Sequence, residues 1–201
     1  MIVVLDTETS GLPTFNYPHP RNFDQWPRMV SVAWKFVSNA ETPPGVHIVV
    51  RPDGFVIPEN ASNVHGISQE KAMEEGVIVN DVLDQINRAL TPKNKDETVV
   101  VCCYNTPFDL GILESEAHRH SHKDLLRTIQ NCQWHCLMRH TSAVLNNGKT
   151  YRLADALLQI GGPDALKELE NPFHNALGDV EAAERLLRLL GEREYSAPNL
   201  P

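Results

Sequence analysis

The chain begins with an apolar, β-branched run that stops abruptly at two acidic residues. Residues 2–5 are typical of a buried strand, and Asp6 and Glu8 follow at once. Because side chains alternate across a strand, Asp6 and Glu8 are expected on the same face. Two adjacent carboxylates repel each other, so a cation between them would explain the pair. The alternative is a strand that simply ends in an exposed turn.

The hydrophobic pattern also places most of the remaining elements. Three further runs predict strands, at residues 29–37, 46–50 and 99–103. Four helices are predicted to open at or just after Asn80, Thr106-Pro107, Leu153 and Asn175. Strands come first and helices are interleaved later, which favours an α/β sheet covered by helices.

Length and composition indicate one packed domain. The chain has 201 residues, of which 41% are hydrophobic, and we assign residues 1–195 to the domain and 196–201 to a short C-terminal tail. The apolar runs are too short to span a membrane, so we expect no membrane partner. The acidic start does not resemble a secretory signal. We therefore expect reduced cysteines and a cytoplasmic location, with a nuclear one left open.

The charge balance restricts how the chain could meet nucleic acid. It carries 18 basic and 26 acidic residues, a formal net charge of −8. A protein that coats a duplex is usually basic, because its affinity for phosphates comes from Lys and Arg. An acidic balance remains compatible with an enzyme that holds divalent cations and grips only one end of a strand.

Asp109 stands at the end of another apolar strand. It follows the run at residues 99–103 and falls in the first turn of the helix that Pro107 opens. An acid in this position can simply complement the helix dipole. However, the carboxyl ends of central strands are also where α/β folds place their functional sites. Asp109 is therefore a second candidate for the acidic site.

Asp179 and His174 supply a third stretch of candidates. Asp179 borders the apolar stripe of the last predicted helix, so its carboxylate needs a basic or metal partner. His174 precedes it by five residues, although a histidine there could be an ordinary loop residue. Four carboxylates and one histidine gathered at one end of the sheet would suit two divalent cations bound by oxygen ligands.

These residues fall into three motifs that resemble a known family. The first motif is Asp6-Thr7-Glu8, the second comprises Asn105, Phe108 and Asp109, and the third joins His174 to Asp179. In order and spacing they are similar to the DEDD superfamily of 3′-to-5′ exonucleases. The match is to the histidine-containing (DEDDh) branch, which includes polymerase proofreading exonucleases. The stretch Val64-His65-Gly66-Ile67-Ser68 is also family-like, whereas Tyr104 stands where a histidine often precedes the second motif.

The resemblance implies a ribonuclease H-like fold, with a central mixed sheet flanked by helices. It also implies hydrolysis of phosphodiesters with two Mg²⁺ or Mn²⁺ ions. The implied ligands are Asp6, Glu8, Asp109 and Asp179, with Asp6 bridging both ions. His174 would act as the general base, since the unperturbed pKa of histidine, about 6.5, is close to working pH.

The same resemblance implies a substrate and a biological setting. Contacts with the terminal nucleotide are expected from Thr7, Leu12, His65, Asn105 and Phe108. The substrate would be the 3′ end of single-stranded nucleic acid, with DNA favoured and RNA possible. A polymerase or another replication or repair protein is an expected partner, because proofreading and DNA repair are roles of this branch.

Two alternatives of other classes remain open at this point. A catalytically inactive module of the same fold could bind nucleic acid or a polymerase. A haloacid-dehalogenase-type phosphatase also begins with a strand that ends in an acid-x-acid pair. Its second acid is usually Asp, whereas Glu8 stands here, and Ala183 occupies a position where a later acid would be needed.

Two other clusters attract functional interpretations. Residues 12–28 interleave aromatic side chains with arginines, which would suit a clamp for a single strand or, alternatively, a small satellite core. The candidate clamp residues are Phe15, Tyr17, His19, Arg21, Phe23, Trp26 and Arg28. Cys132, His135, Cys136 and His140 suggest zinc, but their spacing is not a usual ligand pattern, and Cys136-Leu137-Met138 favours a strand.

Overall fold

The computed structural model describes residues 1–14, 23–38, 43–167, 169 and 175–196, the last three of them by their backbone alone. Within these residues, five strands form one mixed sheet in the order β3-β2-β1-β4-β5. The strands are β1 (Ile2–Thr9), β2 (Met29–Val37), β3 (Val46–Val49), β4 (Val100–Cys103) and β5 (Gln133–Cys136). β2 is antiparallel to β1 and β3, whereas β4 is parallel to β1 and β5. The predicted mixed α/β architecture is confirmed.

Helices pack on both faces of this sheet. In the described part of the chain they are α1 (Glu59–His65), α2 (Gln69–Glu75), α3 (Val79–Leu90), α4 (Thr106–Arg119), α5 (Lys123–Asn131), α6 (Leu137–Leu145), α7 (Leu153–Gly161) and α8 (Ala176–Ser196). Short 3₁₀ turns lie at Phe23–Gln25 and Pro163–Leu166. None of the described helices is long and apolar enough to cross a membrane.

The alternation of side chains along β1 creates two cores. Val3 and Leu5 are buried on one face, in a cluster with apolar residues of α3, α4 and α5. Val4 is buried on the other face, against residues of α7 and α8. Burial of each such side chain stabilises the fold by about 1.5–3 kcal/mol. With both faces covered, the functional groups lie at the carboxyl ends of the parallel strands, which is where this class of fold places its sites.

Two element boundaries differ from the sequence prediction. The strand expected at Cys136-Leu137-Met138 is wrong, because β5 ends at Cys136 and α6 begins at Leu137. The helical turn lets Leu137 bury its side chain completely, while the Met138 N–H donates to the Tyr104 carbonyl oxygen at 2.9 Å. Asn80 does not cap α3, because this helix begins at the buried residue Val79 and Ile78 occupies the N-cap position. The helix therefore starts two residues earlier than a cap at Asn80 would give.

The other predicted helix starts hold. α4 begins at Thr106 with proline in its first turn, and α7 begins at Leu153. The Asn175 side chain accepts the Gly178 N–H at 2.9 Å and so caps the first turn of α8. These helix starts are determined by residues close together in the sequence, so they do not depend on how the helices pack.

Candidate active site

Three carboxylates converge beyond the buried part of β1. Asp6 and Glu8 share one face of the strand, as the alternation predicts, and Asp179 lies in the first turn of α8. Because α8 packs on β1 and β2, its first turn meets the end of β1. One oxygen from each of the three carboxylates lies within 4.8 Å of the others. We refer to Asp6, Glu8 and Asp179, together with their neighbour Asp109, as the acidic cluster.

Asp109 reaches this cluster from α4 and is held there by Thr7. The Asp109 side chain is only 3% exposed. Its Oδ1 accepts two hydrogen bonds, from the Thr7 backbone N–H at 3.0 Å and from the Thr7 hydroxyl at 2.8 Å. Thr7, predicted to contact substrate, therefore also fixes one carboxylate against β1.

The electrostatics of the cluster are unfavourable for negative charge. Burial raises the pKa of Asp6 well above its usual range, and the charges of Asp109, Asp179 and Glu8 raise it further. Burial, with the charges of Asp179 and Asp109, raises the pKa of Glu8 to about 8. Burial also raises the pKa of Asp109 to about 7, although the Thr7 hydrogen bonds oppose this.

In the part of the chain that the structure describes, three of the four acids in the cluster have no basic side chain paired with them. There, Asp6, Glu8 and Asp109 form no ion pair with a Lys, Arg or His side chain. Close carboxylates in a buried setting are stabilised either by protons or by cations. Oxygen ligands of this kind suit hard divalent ions such as Mg²⁺ and Mn²⁺. The donor set therefore fits the predicted metals.

Comparison with known proteins agrees with this geometry. The profile of the exonuclease family named for RNase T matches residues 3–187. The chain belongs to this exonuclease family. It is thereby a member of the DEDD superfamily, as the three motifs predicted. The phosphatase alternative is set aside by the same finding.

Solved structures of exonucleases share the fold of this family member. Exonuclease I of E. coli, in its zinc-bound complex with single-stranded DNA, is 17% identical, with a TM-score of 0.72 over 97% of this chain and 41% of that one. Exonuclease I of Methylocaldum szegediense is 19% identical, with a TM-score of 0.68 over 97% and 41%. Exonuclease X, in complex with 5′ overhanging duplex DNA, is 20% identical, with a TM-score of 0.58 over 99% and 95%. No curated protein matches the sequence significantly.

The chain thus spans about two fifths of exonuclease I and nearly all of exonuclease X. At these identities the similarity establishes a common fold. The family membership rests on the profile match.

In this exonuclease-family chain, the acidic cluster lines an open pocket of about 210 Å³. The lining residues are Asp6, Thr7, Glu8, Tyr104, Asn105, Phe108, Asp109, Leu153 and Asp179. The pocket brings together all four predicted carboxylates with three of the predicted substrate contacts. Tyr104 and Leu153 were not predicted to line it, although the position of Tyr104 directly after β4 was a usable signal.

The other two predicted substrate contacts lie outside the pocket lining. Leu12 follows β1 and is 81% exposed. His65 ends α1 and is buried, and its Nδ1 accepts the Ile67 N–H at 3.1 Å. His174, the predicted general base, lies outside the residues that the structure describes, so its role stays a prediction.

Of the two interpretations of residues 12–28, a clamp or a satellite core, the contacts of the described residues favour the satellite core. Trp26 is buried against α4, where a Cβ at Gly111 would come within 2.1 Å of the indole ring. Phe23 stacks on His118, with ring centroids 3.7 Å apart. Arg28 donates to both carboxylate oxygens of Glu116, at 2.8 and 3.2 Å. Three candidate clamp residues, Phe23, Trp26 and Arg28, therefore have structural contacts, while Phe15, Tyr17, His19 and Arg21 lie outside the described residues.

The four cysteine and histidine residues considered for zinc do not converge on one point. His135 Nε2 and His140 Nδ1 are 2.9 Å apart. The two thiols point to different backbone carbonyls, Cys132 to that of Leu90 and Cys136 to that of Tyr104. Their geometry is that of ordinary core and edge contacts.

Proposed function

We propose that this chain is a DEDDh-type exonuclease that removes nucleoside monophosphates from the 3′ end of single-stranded nucleic acid. One observation carries the proposal. In this chain, which belongs to the exonuclease family, carboxylate oxygens of Asp6, Glu8 and Asp179 lie within 4.8 Å of one another, with Asp109 beside them. Holding these carboxylates close to one another has a cost in the free energy of folding, because burial and mutual repulsion disfavour their charged forms. Binding of divalent cations for phosphodiester hydrolysis would account for this cluster.

The cofactors we propose are two Mg²⁺ or Mn²⁺ ions, held by Asp6, Glu8, Asp109 and Asp179. When bound, such ions supply positive charge where negative charge builds on the phosphate and on the departing 3′ oxygen. Asp6 would be shared by both ions, and Thr7 keeps Asp109 in place through two hydrogen bonds. Asp179 is positioned by the capped first turn of α8.

Proton transfer is assigned to His174. In this scheme a water oxygen attacks phosphorus, the bond from phosphorus to the 3′ oxygen breaks, and His174 accepts the proton of the attacking water. The released 3′ hydroxyl takes its proton from solvent. The assignment comes from the third motif of the sequence, since residue 174 is not described.

Substrate contacts are assigned to Asn105 and Phe108 within the pocket, and to Leu12 and His65 outside it. Leu12 is 81% exposed, as expected of a side chain that meets a base rather than the core. Exonuclease I has been solved with single-stranded DNA, which supports a single-stranded DNA end as substrate. DNA is favoured and RNA remains an alternative, while a polymerase partner and a role in proofreading or repair rest on the resemblance alone.

The polarity and substrate can be tested in one assay. Single-stranded oligonucleotides labelled at the 5′ end are incubated with enzyme in Mg²⁺, in Mn²⁺ or in a chelator. We expect a ladder of progressively shorter labelled products in either metal, and none in the chelator. Immediate release of a labelled mononucleotide would show the opposite polarity and contradict the proposal.

Matched oligonucleotides extend the assay to specificity. Identical DNA and RNA sequences distinguish the sugar, and duplexes with or without a terminal mismatch test a proofreading preference. Binding without hydrolysis, in both metals, would instead favour the inactive module. Asp6→Asn serves as the control, because it removes the proposed shared ligand without changing the volume of the side chain.

A further inference from the structure

The loop between α6 and α7 forms an exposed surface beside the pocket. We refer to residues 146–152 as the 146–152 loop. It begins after α6 ends at Leu145 and leads directly into Leu153, which lines the pocket and starts α7. Residues 146–150 and Arg152 are exposed. The loop therefore continues the wall of the pocket towards solvent.

Tyr104 attaches this loop to the pocket. Tyr104 lines the pocket beside the acidic cluster, and its hydroxyl donates to the Tyr151 carbonyl oxygen at 2.5 Å. On its backbone side, the Tyr104 carbonyl accepts the Met138 N–H of α6. A single side chain thus ties the end of β4 to the end of the loop.

Hydrogen bonds within the loop give it a defined shape. The Asn147 side-chain amide donates to the Tyr151 hydroxyl at 2.7 Å, and its carbonyl oxygen accepts the Lys149 N–H at 3.1 Å. Asn146 and Gly148 have left-handed backbones, with φ of 46° and 66°. This bracing reduces the conformational entropy that the loop would lose on binding a ligand.

The 146–152 loop is positively charged, whereas the adjacent pocket is lined by carboxylates. Lys149 and Arg152 are exposed, and neither forms an ion pair with another residue that the structure describes. The nearest acid along the chain is Asp155, so residues 146–155 carry a formal charge of +1 in a chain whose net charge is −8. The two cations are therefore available to an anionic ligand.

We infer that the 146–152 loop binds the phosphates of the substrate strand that lie on the 5′ side of the scissile phosphate, an inference that rests on the proposed function. In a strand trimmed from its 3′ end, every phosphate beyond the scissile one lies on the 5′ side. The chain carries a formal net charge of −8, which disfavours the approach of those phosphates, so the strand needs local positive charge outside the metal site. Lys149 and Arg152 provide this positive charge close to Leu153 of the pocket wall. Contacts with phosphates do not depend on the base sequence of the strand.

The test compares two double variants that each remove two exposed cations. Lys149→Ala with Arg152→Ala alters the loop, whereas Lys93→Ala with Lys95→Ala alters the segment before β4, at the opposite end of that strand. We expect the loop variant to raise KM for a single-stranded oligonucleotide by about tenfold at low salt, with little change in kcat. The salt dependence of log KM should weaken by about 0.7 for each lost contact.

A small substrate separates the loop from the metal site. Thymidine 5′-monophosphate p-nitrophenyl ester has one phosphodiester and no neighbouring phosphates, so the loop variant should hydrolyse it like the wild type. The Lys93 and Lys95 variant should match the wild type on both substrates. Equal effects of the two double variants, or an unchanged KM in the loop variant, would overturn the inference.

Binding measurements distinguish failure of this inference from failure of the proposed function. Fluorescence anisotropy of a labelled single-stranded oligonucleotide is measured in Ca²⁺ for the wild type and both double variants. If the wild type fails to hydrolyse but binds, and only the loop variant binds more weakly, the loop assignment stands while the proposed activity falls. If the wild type hydrolyses and all three proteins bind equally, the activity stands and the loop assignment falls.

Discussion

Buried acids occur in two contrasting settings in this molecule. Glu116 is only 1% exposed in α4, and its carboxylate is ion-paired with Arg28 at 2.8 Å and with Arg119 at 3.1 Å. It also accepts the Met29 N–H at 3.1 Å. The acidic cluster, by contrast, brings carboxylates together with no described basic side chain paired to Asp6. Glu116 is neutralised by the paired arginines, whereas Asp6 is surrounded by other carboxylates whose charges raise its pKa.

Glu184, on the other side of the sheet, is likewise paired with two basic side chains. Burial alone would raise its pKa, but hydrogen bonds and charges from Lys35 and Arg188 lower it below the usual value. The Lys35 ammonium lies 2.7 Å from one carboxylate oxygen, and the Arg188 guanidinium lies 2.7 Å from the other. Glu116 and Glu184 thus each have a paired base, whereas no described base is paired with Asp6, Glu8 or Asp109.

The largest expected effect comes from removing one carboxylate of the cluster. Asp6→Asn should lower kcat for oligonucleotide hydrolysis by at least about 1,000-fold, because metal-dependent charge stabilisation is lost. Its melting temperature in a chelating buffer should equal or exceed that of the wild type, since one repulsive charge is gone. A melting temperature clearly below that of the wild type would mean that Asp6 is a structural residue and would remove the contrast.

The opposite pattern is expected at Glu116. Glu116→Gln should lower the free energy of unfolding by about 2 kcal/mol, because it leaves two half-buried arginines without the counter-charge of a buried carboxylate. The folded fraction should keep its kcat within a factor of a few. Urea denaturation measures the loss. Glu114→Gln, on the same helix, is the control and should change stability by less than about 0.5 kcal/mol.

Metal binding should stabilise the cluster and leave the paired acids unaffected. At a concentration of Mn²⁺ or Mg²⁺ one hundred times its Kd, the free energy of unfolding should rise by about 2.7 kcal/mol. Asp6→Asn should abolish this gain, whereas Glu116→Gln should retain it despite its lower starting stability. Thermal denaturation in a metal titration measures both, and equal gains in the two variants would place the metal elsewhere.

The smallest effect is a pH dependence of opposite sign in the two settings. In metal-free protein the pKa of Glu8 is raised to about 8 and that of Asp109 to about 7, above the unfolded value of about 4. Their protonated forms favour the folded state at low pH, and this contribution is lost as pH rises through 7 and 8. Glu184, whose pKa is lowered, contributes stability above its unfolded pKa and loses it in acid.

The melting temperature in a chelating buffer should therefore fall by a few degrees between pH 6 and 9. The fall should be smaller in Asp6→Asn, where fewer carboxylates interact. Added Mn²⁺ should reverse the trend, since metal binding displaces protons that are already absent at high pH. A wild-type melting temperature that rises steadily across this range without metal would contradict the raised pKa values.

The sequence predicted the acidic cluster better than it predicted the paired acids. Asp6 and Glu8 are placed by the two-residue period of a strand, and Asp179 by its position beside an apolar stripe. These are local rules, and packing preserved them. The Arg28–Glu116 pair depends on how α4 is rotated against the start of β2, across 88 residues of sequence. No local pattern encodes that rotation.

The sequence left Trp26 open between a clamp for a strand and a satellite core, and its burial favours the core. Its setting among aromatics and arginines is equally compatible with binding bases and with filling a gap in the core. The gap exists because residue 111 has no side chain, and α4 must be docked before the space opens. Tyr104 and Leu153 were missed as pocket residues, because a pocket wall is assembled from elements that are far apart in sequence.

The contact between Trp26 and Gly111 couples the packing of α4 to the position of the acidic cluster. Asp109 precedes Gly111 by two residues on the same helix, so any side chain added at 111 would push away the indole, the helix or both. A larger residue at position 111 should therefore destabilise the fold, unless a smaller residue at position 26 makes room for it. The position of the Asp109 carboxylate in the acidic cluster would then depend on how closely α4 can approach Trp26 at residue 111.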